Sequence, residues 1–210
     1  RENFNKLKKL KKNFFSYECN VSDSNQVKEI FEKKIKKIGN LYGLINNAGI
    51  NPSRNVLHKT SIGDWQSTIN TNINGPFYCS KFFIENLIKK KSGGIIINIA
   101  SIAGIVALEK RASYSTSKGA LISLTKSIAI DYAKNNIRSF CICPAYIKTE
   151  LTGPFLDKLS KKDYNKLLGL HKLGRLGKES DVSEVVSFLL SEKAEWLTGN
   201  IIPVDGGYVV

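Results

Sequence analysis

Apolar positions recur along the chain in two alternating rhythms, helical stripes and short apolar runs. Residues 2–12 place Phe4, Leu7 and Leu10 at helical spacing with lysines between them, which predicts a helix. The aromatic run FFSYECNV (14–21) predicts a strand. Ser22 or Asp23 is positioned to cap a helix running to about Lys37, with Val27, Ile30, Phe31, Ile35 and Ile38 as its apolar stripe, and Gly39 and Asn40 end it. LYGLINNAGI (41–50) predicts a second strand closed by a glycine turn. A long helical pattern from about Ser61 to Lys91, broken by Ser-Gly-Gly, leads to IIINIAS (95–101), a continuous apolar run of the kind buried on both faces. A helix over about 112–134, a strand over 137–146 and helical stretches near 157–168 and 179–192 follow, with a short strand in NIIPVDGG at the end. No internal repeat is present.

Strands alternating with helices of this length predict an α/β protein, a single domain over 1–210 built on a doubly wound, Rossmann-like parallel sheet. Ligands of such sheets bind beyond the carboxyl ends of the strands. Those ends carry residues 46–49, Ser101 and 144–149, so the polar chemistry is expected along one edge.

Composition narrows the class. The chain has 210 residues, 42% hydrophobic and 24% charged, which fits a globular core and excludes disordered, fibrous and disulfide-scaffold proteins. No apolar run approaches the roughly 20 residues that cross a bilayer, and the basic start lacks the apolar stretch of a secretory signal. Lys and Arg number 32 against 18 Asp and Glu, a net charge of +14. The lysine clusters at 6–12, 33–37 and 89–91 are scattered, as on solvated helix faces, and no helix-turn-helix, RNP-like strand or zinc set points to nucleic acid. An acidic carrier domain stays open as a partner. The four cysteines, among them Cys141 and Cys143 in an apolar run, are expected to be reduced thiols of a cytoplasmic protein. His58 and His171 stand far apart with no paired ligand, so no metal is expected.

The chemistry gathers around Tyr114-Ser-Thr-Ser-Lys118 at the start of a predicted helix. Positions i and i+4 share a helix face, so phenol and ammonium project together. A phenol with a pKa near 10 is a poor acid or base at neutral pH, and a neighbouring ammonium is expected to lower it. The Tyr can then exchange a proton with a carbonyl or alcohol oxygen. Ser101, closing an apolar run upstream, offers a hydroxyl to the same oxygen. Asn46-Asn-Ala48-Gly49 follows an earlier strand, and Ala48 and Gly49 leave room for a flat ring or ribose. Asn72 lies in INTNING, and Asn51-Pro-Ser-Arg54 either lines the pocket or forms a surface turn.

Taken in order, NNAG, Asn72, Ser101, YSTSK, PAYIKT and the terminal VDGG resemble the short-chain dehydrogenase/reductase family over essentially the whole chain, and most of all its 3-oxoacyl-[acyl carrier protein] reductases and related sugar and polyol dehydrogenases. The resemblance implies an oxidoreductase that interconverts a carbonyl and a secondary alcohol with NADP or NAD. It assigns catalysis to Asn72, Ser101, Tyr114 and Lys118, with Tyr114 exchanging the proton, Ser101 holding the oxygen, Lys118 tuning Tyr114 and meeting the cofactor ribose, and Asn72 ordering a water beside Lys118. It assigns cofactor contacts to Asn20 and Val21 at the adenine, to Asn46, Ala48 and Gly49, and to Pro144, Ile147 and Thr149 beside the nicotinamide, with Tyr114 and Lys118. Ala145 stands where the family has Gly. Residues 150–172 correspond to the family's mobile substrate lid, and His171 to a flank of the substrate mouth. HKLGRLG and TGNIIPVDGG correspond to a region that supports a homotetramer, with a homodimer as the other expectation.

The family's Thr-Gly-x-x-x-Gly-x-Gly pyrophosphate loop has no match here. A further βαβ unit of about 35–45 residues is therefore expected ahead of residue 1, the other reading being a non-catalytic homologue without it. Arg1 corresponds to the basic residue that favours NADP.

Overall fold

A computed structural model describes residues 15–35, 38–150 and 152–210. Four parallel strands, β1 (Gly43–Asn46), β2 (Gly94–Ile99), β3 (Ile137–Pro144) and β4 (Ile201–Val204), pair in that order. The helices between and around them are α1 (Ser24–Glu29), α2 (Ile62–Ile69), α3 (Gly75–Lys90), α4 (Ala112–Tyr132), α5 (Gly153–Leu156), α6 (Lys161–Leu170) and α7 (Glu179–Leu190).

Alternation along the strands builds two cores. Ile96 and Ile137 meet Phe83, Ile84 and Leu87 of α3 and Ile128 of α4 on one face. Ile95, Ile97, Phe140 and Ile142 meet Leu189 of α7 on the other. Both faces are covered, which explains why β2 reads as an uninterrupted apolar run rather than an alternating one.

Several expectations are corrected. Residues 15–21 form no strand: the sheet runs β1-β2-β3-β4 and this segment pairs with none of them. Instead Asn20 Oδ1 accepts from the Ser22 N–H at 3.1 Å, tightening the turn into α1. The predicted cap is in place: the Asp23 carboxylate accepts from the N–H groups of Asn25 and Gln26. The helix loosens into a π turn over Ile30–Lys34, and Ile38, expected in its apolar stripe, is 42% exposed. The helix expected over 2–12, Arg1, and the helix end at Lys37 lie outside the described residues.

The long pattern over 61–91 is two helices joined by a π turn, Asn70–Asn74, which turns Asn72 fully inward. The remaining strands and helices lie close to where the pattern puts them, β2 beginning one residue earlier at Gly94 and α6 shifted to Lys161–Leu170 from the expected 157–168, and α5 is an additional turn.

One close approach holds the site side of the fold together. The short turn Ile102–Gly104 sits so tightly on α4 that a Cβ at Gly104 would lie 2.7 Å from the carbonyl carbon of Lys118 and 2.8 Å from its oxygen. Backbone cannot yield as a flexible side chain does. Gly104→Ala is therefore expected to cost about 1–3 kcal/mol and to move Ser101 away from Tyr114. Urea unfolding together with steady-state turnover checks this, and an unchanged midpoint with unchanged turnover would refute it.

Candidate active site

The polar ends of β1, β2 and β3 meet at one edge, as the topology requires. Ser101 follows β2 and caps the Ile102–Gly104 turn, its Oγ accepting from the Ala103 N–H at 3.1 Å. Tyr114 and Lys118 project from the first turns of α4. The Lys118 ammonium lies 5.6 Å from the Tyr114 ring centre, and the Ser101 hydroxyl is close enough to act on the phenol. Ser101, Tyr114 and Lys118 are thus brought together.

Their electrostatics are set by burial. Lys118 is 4% exposed and its Nζ donates to the Ile99 carbonyl at 2.8 Å. Loss of water pulls its pKa down to about 8, only partly offset by the thiols of Cys141 and Cys143. Burial also pushes the Tyr114 phenol up, against the lowering influence of the Ser101 hydrogen bond and the Arg111 charge. The sequence expectation that Lys118 lowers Tyr114 is not met in this state. The ammonium donates to the Ile99 carbonyl, and desolvation is the largest influence on the phenol.

Asn72 is fully buried and clamps two elements. Its Oδ1 accepts from the Ile50 N–H at 2.9 Å, and its Nδ2 donates to the Ile50 carbonyl at 2.9 Å and to Ser117 Oγ at 3.0 Å. Ser117 Oγ in turn donates to the Tyr114 carbonyl at 2.7 Å, so Asn72 ties the NNAGI turn to the helix that carries Tyr114. Gly49 keeps the space beside it open: a Cβ there would lie 3.5 Å from both Asn72 Oδ1 and Lys118 Nζ.

Two cavities meet at Ser101 and Tyr114. The larger, about 870 Å³, is lined by Ala48, Gly49, Lys118, Pro144, Ile147 and Thr149 among others. The smaller, about 430 Å³, runs from Asn51–Arg54 past Arg111 to Phe155 and Lys158. Residues 51–54 therefore line a pocket, and the 150–172 stretch contributes Thr152, Pro154, Phe155 and Lys158 to it.

Three residues expected to contact the cofactor do not line these two cavities. Asn46 Nδ2 donates to Asn98 Oδ1 at 2.8 Å and Ser80 Oγ at 3.1 Å, and Asn98 donates to Thr125 Oγ1 at 2.9 Å. Buried polar groups need partners, and this chain satisfies them beneath the sheet, away from the cavity. Asn20 and Val21 line neither cavity; Val21 packs on Gly75, where a Cβ would come within 2.9 Å of its Cγ2. His171 is buried in a separate hollow beside Tyr208, its Nδ1 3.0 Å from the Leu167 carbonyl. Asn47 and Arg111 line the site and went unremarked in the sequence, although Arg111 stands one helical turn before Tyr114. No cluster able to hold a metal occurs among the described residues. All four cysteines are free thiols.

A phenol beside a hydroxyl and an ammonium at the end of a parallel sheet suits proton exchange with a carbonyl or alcohol oxygen, the chemistry of an oxidoreductase. A family model described as Enoyl-(Acyl carrier protein) reductase matches residues 1–209. The 3-oxoacyl-[acyl-carrier-protein] reductase FabG of Thermotoga maritima is 36% identical over 194 residues, covering 92% of this chain and 76% of that one. The meso-2,3-butanediol dehydrogenase of Serratia marcescens is 35% identical over 187 residues, with coverage of 89% and 72%. The structure of ElxO with NADP bound superposes with a TM-score of 0.85 at 35% identity, covering 92% of this chain and 77% of that one. The chain belongs to the short-chain dehydrogenase/reductase family.

Proposed function

We propose that this chain is an NADP(H)-dependent oxidoreductase that interconverts a carbonyl and a secondary alcohol, with Tyr114, Ser101, Lys118 and Asn72 as its working residues. The observation that carries this reading is the meeting of the two cavities at the Ser101–Tyr114 pair, one large enough for half a dinucleotide and one for a small substrate. The larger cavity fits a ribose and flat ring, because Gly49 presents no side chain where one would fill it and the buried Lys118 offers a donor there. Ala48, Gly49, Lys118, Pro144, Ile147 and Thr149 would hold that half of NADP(H), which supplies the hydride when bound.

The residues of the chain do the rest. Ser101 Oγ positions the carbonyl oxygen and spreads its developing charge. Tyr114 Oη gives its proton to that oxygen in reduction and takes one from the alcohol in oxidation. Lys118 holds positive charge against the forming phenolate. Asn72 fixes the turn and the helix relative to each other. The oxyacyl, sugar or polyol class of the substrate is set by the second cavity, whose basic lining favours an acyl-carrier type over a neutral polyol. The free thiols fit a cytoplasmic setting, and no helix among the described residues is long and apolar enough to cross a membrane. Exposed Ile130 (78%) and Trp196 (96%) fit burial in a homotetramer or homodimer.

Oxidation of NADPH in the presence of 3-oxobutyryl thioesters, set beside reduction of NADP⁺ with 2,3-butanediol, tests this. Carbonyl-dependent NADPH oxidation is expected. Absence of turnover with every carbonyl and alcohol, in a protein that binds NADPH, would overturn it.

A further inference from the structure

The smaller cavity has an uneven charge. Arg54, Arg111 and Lys158 line it, and no Asp or Glu does. Four basic residues outside it have acidic partners: Lys28 with Glu32, Lys33 with Glu29, Lys81 with Glu85 and Arg175 with Asp181. Among the described residues none of the three cavity cations has an acidic partner within ion-pair distance. The larger cavity, by contrast, carries Glu150 and Glu179 on its wall, so of the two cavities only the smaller has cations alone as its charged lining.

Two of the three are also held in place. The Arg54 guanidinium sits over Phe155, its Cζ 3.2 Å from the ring centre, which restrains a long side chain that would otherwise sweep solvent. Arg111 stands at the N-cap of α4, with its Cζ 6.0 Å from the Tyr114 ring centre. The first N–H groups of α4, which has no acidic residue in its first turn, add positive potential at the same end. Three cations converging on one cavity with no acid among its lining give it a positive potential that attracts an anion.

We propose that the substrate carries an anionic group, carboxylate or phosphate, beyond its reacting carbonyl, and that Arg54, Arg111 and Lys158 bind that group and so select the substrate. This rests on the carbonyl-reductase reading above, since it places the anion next to Ser101 and Tyr114. The anion can belong to the substrate itself, as in an oxo acid, or to the phosphate of a pantetheine arm.

The test reads binding separately from turnover. Calorimetric titration of the full chain compares 3-oxobutanoate with its methyl ester, and 3-oxobutyryl-coenzyme A with the neutral N-acetylcysteamine thioester. At least a tenfold preference for the anionic member of one pair is expected. A preference in the first pair assigns the cations to a carboxylate, and one in the second assigns them to a phosphate. The preference should shrink as salt rises from about 0.02 to about 0.5 M, and should fall several-fold in Lys158→Gln and further in Arg54→Gln/Arg111→Gln. Lys158 is exposed, so its replacement spares the fold. Equal affinities within both pairs, or a preference that survives salt and Lys158→Gln, would overturn the proposal. Selective binding without turnover would instead overturn the carbonyl-reductase reading and leave the anion site standing.

Discussion

Replacing Tyr114 with Phe is expected to lower turnover in both directions about 10²–10⁴-fold, with NADPH affinity changed less than about twofold. The reasoning begins with what the substitution leaves alone. Phe keeps the ring that Lys118 and Arg111 pack beside, and Ser101 Oγ keeps its hydrogen bond from the Ala103 N–H. Only the phenolic oxygen goes, and with it the proton that Tyr114 would give where the two cavities meet. The buried phenol's raised pKa keeps it protonated in the unliganded site, which suits an acid in carbonyl reduction. Stability should therefore change by less than about 1 kcal/mol, so a fall in turnover cannot be ascribed to unfolding. Steady-state kinetics with a cofactor titration on the same preparation decides the matter. Turnover within a few-fold of the parent would remove Tyr114 from the chemistry.

The alternation of apolar runs and stripes made the sheet legible, because β2, covered on both faces, has no polar position to interrupt it, and α4 carries a continuous pattern of 21 residues. The same logic failed where a partner, not a pattern, decides the outcome. FFSYECNV has strand composition, yet a strand needs a neighbour, and residues 15–21 pair with none of the four strands. The π turn at Asn70–Asn74 was likewise not read from the helical period, since a single-turn insertion inside a long apolar pattern is short against the pattern on either side of it. Its trace in the sequence is the asparagine cluster itself, polar side chains on what would otherwise be a buried face.

Within the site, spacing alone joined Tyr114 to Lys118, because i and i+4 must share a face. Motif order then supplied Ser101 and Asn72. Asn46 shows the limit of that route. Adjacent positions after a strand point to opposite sides, so Asn46 turns down into the Asn98–Thr125 chain while Asn47 meets the cavity. The direction of the Tyr114 shift was also illegible, because it depends on how much water burial removes, and no one-dimensional pattern records that.

Lys118→Met is expected to give a protein that is more stable and nearly inactive. Met approximates the lysine stem in length and keeps the packing, but it removes an ammonium that is 4% exposed. Burial has pulled that ammonium down to about 8, whereas an unfolded lysine holds its proton to about 10.4. Below pH 8 both states are charged and the folded protein bears the full cost of the buried ion. From about 8 to about 10.4 the unfolded chain binds more protons than the folded one, so the stability of the parent rises with pH through that window. Met removes this dependence. The variant should exceed the parent by about 1–3 kcal/mol at pH 7, after subtracting the lost hydrogen bond to the Ile99 carbonyl, and the gap should close as pH approaches 10. Turnover at pH 7 should fall at least about 10²-fold, because no charge then faces the forming phenolate. In the parent, kcat/KM for reduction should decline as pH passes about 8, where Lys118 loses its proton before cofactor binds. Urea unfolding across pH 6–10 and rates over the same range give both readings at once. A variant less stable than the parent at pH 7 would mean that the ammonium is a structural anchor, and unchanged turnover would mean that the phenol works without it.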